Sequence, residues 1–392
     1  MAINSGIVTN SYTNLDIERY AKYQQGKTSL VAQGGGQRGI FTAGVLDAFI
    51  LSDFDPFNEF YGTSAGALNL CAYLCRQHGL GKAFILDLTT DSEFFNLFGY
   101  IRQKQYLGLE WALDKIRSYP YKLDLDLGEA TLGERQAYAS VTETSTLTDR
   151  YLPMFGSIWR DTMLATCAIP KLYANPVTIN GNEYVDGGVS ASVPVQEPWR
   201  RNARSIVVIR TEPFSATENT APLNLNEMKP READWFRNSF GNVQLKWQDR
   251  VSRWREDWSL FFQQQIADSQ AIPDHKFRLL NGGRWLFGAD NIYRLSHLIG
   301  DNFDSGLADM LMVHYQTYSL TRDFLAKPPD DTFIIQITPD APLRSSSLLS
   351  GRDELLFDYD CGVQAGYRFI KQYQLVKQQR MLSRLNQTND NR

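Results

Sequence analysis

A serine enclosed by glycines constrains this chain more than any other feature of its sequence. Residues 62–66 read Gly-Thr-Ser-Ala-Gly, with Ser64 at the centre of a G-x-S-x-G pattern. A strand is predicted over 57–62 before it and a helix over 65–75 after it. This order is typical of a nucleophile elbow, whose sharp turn exposes the serine hydroxyl and needs Gly62 and Gly66 for close packing. We therefore predict that Ser64 is a nucleophile.

A glycine-rich cluster lies between a predicted strand at 28–33 and a predicted helix at 40–51. The cluster consists of Gly34, Gly35, Gly36, Gln37, Arg38 and Gly39. Few side chains obstruct its backbone N–H groups, which suits an oxyanion hole. Its spacing also matches the dinucleotide fingerprint G-x-G-x-x-G, but Asp53 and Asp55 precede the second strand instead of following it. A P-loop is excluded because no Lys-Ser or Lys-Thr follows, so the pattern favours an oxyanion hole. Arg38 is either part of this site or a structural, ion-paired arginine.

A carboxylate is the predicted partner of the serine. Asp186, followed by Gly187 and Gly188, comes directly after a short apolar strand. A serine hydroxyl needs a base to accept its proton, and a partly desolvated carboxylate can serve as that base. Capping of a turn is the structural alternative for an Asp-Gly-Gly sequence. The sequence favours Asp186 as the general base.

A Ser–His–Asp triad is the alternative mechanism. Three histidines follow Asp186, which is the chain order of the α/β-hydrolases: His275, His297 and His314. His275 lies in a polar loop and the other two on predicted helices, so surface or packing roles are favoured for all three. Order alone does not exclude the triad.

The alternation of strands and helices predicts an α/β fold built on a parallel sheet, with its chemistry at the carboxyl ends of the strands. Further strands are predicted at 137–143, 176–179, 183–185, 205–210 and 332–338, and further helices at 158–167 and 352–373. The region 213–328 carries tryptophans at helical spacing, which predicts a helical insertion that packs on itself or caps the site. The Gln- and Asn-rich residues 377–392 predict a flexible tail.

Composition narrows the class of protein. The chain has 392 residues, 43% of them hydrophobic, and a formal net charge of −4, so nothing in it resembles a nucleic-acid-binding surface. The sequence shows no signal peptide and no apolar segment long enough to span a bilayer, which predicts a cytoplasmic protein. The four cysteines lack metal-ligand spacing and are expected to be small buried side chains. No metal or cofactor is predicted.

Three motifs together resemble the patatin-like phospholipase family in its bacterial intracellular form: QGGGQRGIFTAGVLDAF, GTSAG and TCAIPKLYANPVTINGNEYVDGGVSASVPV. The resemblance implies a three-layer α/β/α sandwich with a mostly parallel sheet. It implies a Ser64–Asp186 dyad, with the amides of residues 34–39 as the oxyanion hole. The implied acyl hydrolase domain covers 27–376, as a core of 27–212 plus 329–376 that holds the insertion 213–328.

The activity implied by the resemblance is cleavage of carboxylic ester bonds in phospholipids or lysophospholipids. The sequence leaves peripheral contact with a membrane surface open. A generic carboxylesterase or thioesterase, or a non-catalytic binding protein on the same scaffold, remains an alternative. Gln33 and Ser192 stand where the family often has an acidic residue and an asparagine, which bears on fine geometry and substrate. The predicted walls of an acyl groove are Leu68, Leu70, Phe94, Phe95 and Phe98.

Overall fold

The structure, a computed structural model, describes residues 7–9, 26–94, 107–170, 172–173, 175–214, 242–243, 300–301, 305–326, 328–329 and 331–390. The chain divides into two compact units. The first consists of Met1–Ala216 together with Thr317–Arg392, and the second of Thr217–Gln316. The predicted domain boundaries at 212 and 329 remain predictions.

A sheet of nine strands forms the centre of the first unit. The strands are β1 (Ile7–Thr9), β2 (Thr28–Ala32), β3 (Glu59–Thr63), β4 (Gln136–Glu143), β5 (Asp149–Pro153), β6 (Val177–Ile179), β7 (Asn182–Asp186), β8 (Ser205–Ile209) and β11 (Phe333–Ile337). Their spatial order is β1-β11-β8-β2-β3-β4-β7-β6, with β5 paired to β4. Neighbours from β1 to β4 run parallel, and β5, β7 and β6 add antiparallel pairs.

Helices connect and cover these strands. They are α1 (Gly39–Leu51), α2 (Ala65–Leu74), α3 (Leu80–Ala83), α4 (Leu109–Lys115), α5 (Leu125–Leu132), α6 (Trp159–Cys167), α7 (Gly188–Ala191), α8 (Gln196–Arg200), α9 (Ser305–Ala326) and α10 (Arg352–Asp390). A 3₁₀ turn at Gly36–Arg38 precedes α1, and a π-helical turn at Phe84–Leu88 follows α3.

The two faces of the sheet pack against different helices. Successive side chains of a strand point to opposite faces. Tyr61 of β3 belongs to a buried cluster that includes Leu325 of α9, with Trp199 of α8 packed against it. Phe60, the preceding residue, contacts the ring of Tyr73 on α2. A mostly parallel sheet with helices on both faces confirms the predicted α/β/α fold class.

Glycines bring α1 and α10 into close contact. A Cβ atom at Gly44 of α1 would lie 2.2 Å from the carbonyl oxygen of Tyr359, and one at Gly362 would lie 2.1 Å from that of Phe41. Only glycine permits backbones to approach this closely. α1 is therefore buried from Gly39 to Phe49, which explains its apolar residues on all sides.

The C-terminal end of the chain differs from the flexible tail that the sequence predicts. The sequence predicts fraying from residue 377, whereas α10 continues to Asp390. Gln, Arg, Lys, Met and Leu dominate this segment, and their good helix propensity outweighs its lack of an apolar face.

In the second unit, β9 (Asn242–Val243) and β10 (Gly300–Asp301) pair in parallel. The tryptophans of the predicted insertion lie outside the described residues.

The contact between α1 and α10 can be tested with Gly44→Ala. We expect the free energy of unfolding to fall by about 1–3 kcal/mol, because the new methyl group overpacks the contact by more than improved helix propensity gives back. Gly351→Ala is the control, since the nearest atom to its Cβ would be 3.7 Å away. Urea denaturation of both variants measures their free energies of unfolding. Equal stability of the two variants would contradict the close contact.

Candidate active site

Ser64 occupies a strained turn between β3 and α2. Its backbone has φ 53° and ψ −125°, a conformation that side-chain-bearing residues rarely adopt. Its N–H donates to Oγ1 of Thr166 at 2.9 Å, and Thr166 in turn donates to the carbonyl of Ser140 at 2.6 Å. Ser64 is 8% exposed. The serine therefore lies at the N-terminus of α2, where the helix dipole favours negative charge.

The glycines on either side of Ser64 allow α2 to pack tightly on the sheet. A Cβ at Gly62 would lie 2.7 Å from the backbone nitrogen of Ala67. One at Gly66 would lie 2.5 Å from the carbonyl oxygen of Ala32 on β2. Both distances are too short for any side chain. Packing at this turn therefore requires the two glycines of the G-x-S-x-G pattern, as predicted from the sequence.

The register of the sheet brings Asp186 level with Ser64. Thr63 pairs with Ser140, and Asp186 pairs with the next residue of β4, Val141. Beyond Asp186 the chain crosses β4 so closely that a Cβ at Gly187 would lie 2.1 Å from the carbonyl oxygen of Ser140. Hydrogen bonds fix the backbone of Asp186: its N–H donates to the carbonyl of Ala168, and its carbonyl accepts from Oγ1 of Thr142.

The carboxylate of Asp186 is desolvated. Asp186 as a whole is only 6% exposed. Burial raises the pKa of Asp186 to about 7, although hydrogen bonds from the Gly188 amide and the Ser64 side chain lower it. The Gly188 N–H lies 2.6 Å from Oδ1. The two side chains predicted as nucleophile and base therefore interact, and the carboxylate changes protonation near neutral pH.

Four of the six amides in the glycine-rich cluster already have acceptors. Gly34 donates to Ser192, Gln37 to Ser347, Arg38 to Gly35, and Gly39 to Gly36. The N–H groups of Gly35 and Gly36 donate to no acceptor among the described residues. Gly36 has φ +57°, in the left-handed region that glycine tolerates. These two amides are the candidates for binding an anion.

The side chain of Arg38 turns toward an acidic neighbour. Its Nη1 lies 3.4 Å from Oε1 of Glu212, and both side chains are about 30% exposed. A long, half-exposed ion pair of this kind contributes little stability. The geometry agrees with the structural, ion-paired role that the sequence analysis left open for Arg38.

Sequence reasoning missed two residues beside Ser64. Thr166 and Cys167 end α6, and they directly precede the Ala-Ile-Pro segment that marks the approach to Asp186. Thr166 accepts the N–H of Ser64, and the thiol of Cys167 interacts with the Ser64 side chain. Burial raises the pKa of Cys167, which keeps the thiol neutral. Their position directly before Ala-Ile-Pro is the sequence signal that could have identified these two residues.

An apolar groove begins at the residue after Ser64. It is open to solvent and narrow, with a cavity volume of about 20 Å³. Its wall includes Ala65, Leu68 and Ala72 from one face of α2, and Phe84 and Ile85 from the π-helical turn. Of the predicted groove residues, Leu68 lines this space, Leu70 is fully buried and Phe94 is buried. Phe95 and Phe98 lie outside the described residues.

The structure describes one of the three histidines of the alternative triad. His275 and His297 lie outside the described residues. His314 lies on α9 and is exposed.

Within the part of the chain that the structure describes, no group of three or more His, Cys, Asp or Glu side chains has an arrangement that could hold a metal. No helix in that part is both long and apolar enough to cross a membrane.

Comparison with known proteins identifies the family. The patatin-like phospholipase profile matches residues 30–199, and that of a domain of unknown function (DUF6363) matches residues 304–376. The chain is 30% identical over 349 residues to the uncharacterized protein YjjU of Escherichia coli K12, covering 89% of this chain and 78% of that protein. The crystal structure of VipD from Legionella pneumophila matches at 13% identity and a TM-score of 0.35, over 88% of this chain and 67% of that chain. The profile and the E. coli relative show that the chain belongs to the patatin-like phospholipase family, as its motifs predict.

The burial of Asp186 predicts a pH-dependent effect on stability. Its pKa is higher in the folded chain than the ordinary value of 3.8, so the folded state gains stability by protonation at low pH and loses it as pH rises through about 7. Asp186→Asn removes this loss. We expect the variant to exceed the wild type in free energy of unfolding by a few kcal/mol at pH 8 and by much less at pH 5, in urea titrations.

The exposed Asp126 of α5, changed to Asn, controls for the loss of one negative charge. A stability difference for Asp186→Asn that does not vary with pH would show that the carboxylate is not desolvated.

Proposed function

We propose that this protein is a serine acyl hydrolase that cleaves ester bonds of lipids through a Ser64–Asp186 dyad. Membership of the patatin-like phospholipase family supports lipid acyl hydrolysis as its class of reaction. The observation that carries the residue assignment is the interaction between the Ser64 side chain and a buried carboxylate whose pKa is about 7. A base with a pKa near the working pH is both ionised and basic enough to accept the serine proton.

In the first step, Asp186 takes the proton of Ser64 as Oγ attacks the ester carbonyl. The carbonyl oxygen becomes an oxyanion, which accepts hydrogen bonds from the amides of Gly35 and Gly36. The tetrahedral intermediate then collapses, the ester C–O bond breaks, and Asp186 returns the proton to the leaving alcohol. Backbone donors held in place before the reaction stabilise this charge without reorganisation.

In the second step, water replaces the alcohol. Asp186 accepts a proton from the water as it attacks the acyl-enzyme, and the same two amides bind the second oxyanion. Collapse of this intermediate transfers the proton from Asp186 to Ser64 and releases the fatty acid. Because Asp186 must be ionised to begin each step, kcat/KM is expected to rise with pH up to about 7 and then level off.

The groove beside Ser64 supports an acyl chain as the group transferred. Its lining is almost wholly apolar, and its one amide side chain, Asn69, donates to the carbonyl of Gly39 at 2.9 Å. An apolar wall gains about 0.8 kcal/mol for each methylene it removes from water. Because the groove starts at Ala65, an acyl chain in it would have its carboxyl end near the nucleophile. This favours a lipid ester over a small polar ester.

Substitution of the dyad tests the proposed reaction. We expect Ser64→Ala and Asp186→Asn each to lower kcat on a lysophospholipid by about three orders of magnitude or more, because residues of one catalytic unit fail together. A fluorophosphonate should label Ser64 in the wild type. The control is Thr63→Ser, which retains a hydroxyl for the bond that Thr63 makes to the carbonyl of Ala191.

Three results would contradict parts of the proposal. Absence of labelling in folded wild-type protein would favour a binding protein on this scaffold. Activity that survives Asp186→Asn but disappears with His275→Ala, His297→Ala or His314→Ala would establish the triad instead. Hydrolysis of short-chain esters or thioesters alone would favour the generic esterase.

Filling the groove tests the acyl-chain site. Ala72→Phe places a ring in the groove just over two turns along α2 from Ser64. We expect kcat/KM for p-nitrophenyl laurate to fall at least about tenfold relative to p-nitrophenyl butyrate, since each excluded methylene forgoes part of its burial energy. Ala130→Phe on α5, at an exposed position outside the groove, is the matched control. An equal fall for both esters would place the acyl chain elsewhere.

A further inference from the structure

We propose that the side chain of Gln37 is a positioning residue, through which the C-terminal segment of the chain holds the two oxyanion-binding amides in place. The C-terminal segment is defined here as residues 344–359, which lie within the matched domain of unknown function. The inference rests on the proposed function, because it assigns a role in the same reaction. It gives this segment a task that the family match to residues 30–199 does not cover.

Gln37 connects three parts of the chain that are distant in sequence. Its Nε2 donates to the carbonyl and to Oγ1 of Thr89, at 3.2 and 3.1 Å. Its Oε1 accepts the N–H of Ser350 at 2.8 Å, and its own N–H donates to the carbonyl of Ser347 at 2.9 Å. Gln37 is 2% exposed, so water cannot replace these bonds. A buried amide with its hydrogen bonds satisfied on both sides has one preferred position.

The contact extends to the backbone of Gly36. A Cβ at Gly36 would lie 2.3 Å from the carbonyl oxygen of Ser347, so the C-terminal segment packs directly against a residue whose N–H has no acceptor among the described residues. Gly36 has the left-handed conformation with φ +57°. The neighbouring backbone thus limits where this N–H can point. An oxyanion hole requires such fixed donors, because their alignment before the reaction is the source of their effect.

The C-terminal segment is itself firmly anchored. The carboxylate of Asp358, which is 1% exposed, accepts the N–H groups of Arg344 and Ser345 at 3.1 and 2.7 Å. The Ser350 hydroxyl accepts the N–H of Ser346 at 2.9 Å and donates to its carbonyl at 3.1 Å. These bonds fold the segment into a compact turn at the start of α10, the helix that packs against α1.

The same segment also contacts the π-helical turn, which contributes Phe84 and Ile85 to the lining of the groove. Arg352 donates to the carbonyl of Leu86 at 3.3 Å and pairs with Asp87 at 3.2 Å, both in the π-helical turn. Thr89, the partner of Gln37, follows that turn and donates to the carbonyl of Ile85 at 2.7 Å. Gln37 therefore links the oxyanion loop both to the C-terminal segment and to one side of the groove.

Replacing Gln37 by a residue of similar shape tests the proposal. Gln37→Met retains most of the volume but loses the side-chain hydrogen bonds. We expect kcat on a lysophospholipid to fall about ten- to a hundredfold, with KM changed less than about threefold, because displaced amides weaken only the transition state. The rate of fluorophosphonate labelling of Ser64 should fall in parallel, since that reaction also places negative charge on oxygen.

A stability-matched variant separates positioning from folding. Tyr73→Phe, near the C-terminal end of α2, removes a buried hydrogen bond to the carbonyl of Phe54 at 2.8 Å and lies outside both the oxyanion loop and the C-terminal segment. Both variants should lower the melting temperature, and only Gln37→Met should lower kcat. If the two variants lose the same fraction of kcat at 25 °C, Gln37 is an ordinary core residue and the proposal is wrong.

A milder pair of variants decides the matter even if Gln37→Met fails to fold. Thr89→Val removes one acceptor of Gln37, and Thr89→Ser retains it. We expect kcat to fall several-fold in Thr89→Val and to return to near the wild-type value in Thr89→Ser. Equal kcat for both variants would overturn the proposal. A wild type that hydrolyses no ester and does not react with fluorophosphonate would instead contradict the proposed function.

Discussion

The relative registers of adjacent strands determine where the chemistry of this molecule can occur. Ala32 at the end of β2 pairs with Gly62 of β3, so the glycine-rich loop and Ser64 leave the sheet at the same edge. On the other side, β4 brings Asp186 level with Ser64 although β7 runs antiparallel to it. A shift of one residue would turn each of these side chains to the other face of its strand. The glycines at 62, 66 and 187 matter because the backbones at this edge approach within distances that no side chain allows.

Burial of Asp186 at this edge links stability to reactivity. An exposed aspartate with an ordinary pKa is a weak base, whereas desolvation raises the pKa of Asp186 to about 7. The same desolvation destabilises the folded state above that pH. The Gly188 amide and the Ser64 side chain offset part of this cost by hydrogen bonding to the carboxylate. The fold therefore tolerates a destabilising charge at the position of the proposed base.

Local sequence predicts the elements and motifs of this fold well, and long-range contacts poorly. The strands at β2, β3, β8 and β11 are short apolar runs bounded by turns, and each lies within about two residues of its predicted limits. The strand β5 and the continuation of α10 were not predicted, because exposed or polar residues give no periodic signal. The roles of Thr166 and Gln37 depend on partners dozens to hundreds of residues away. The sequence pattern predicts all six amides of residues 34–39 as oxyanion-hole donors. It does not reveal that backbone carbonyls accept hydrogen bonds from four of them.

The contacts of Gln37 connect the proposed active site to the C-terminal segment of the chain. The motifs for the proposed nucleophile, base and oxyanion loop all lie within residues 34–188, yet a glycine-rich loop has few side chains to fix its own conformation. In this chain, Gln37 is the residue of the loop that is long enough to reach neighbouring elements while remaining buried. Its partners Ser347 and Ser350 belong to a segment anchored by Asp358 and by the glycine contacts between α1 and α10. In the proposed arrangement, the packing of α1 against α10 therefore holds the oxyanion loop in place through the side chain of Gln37.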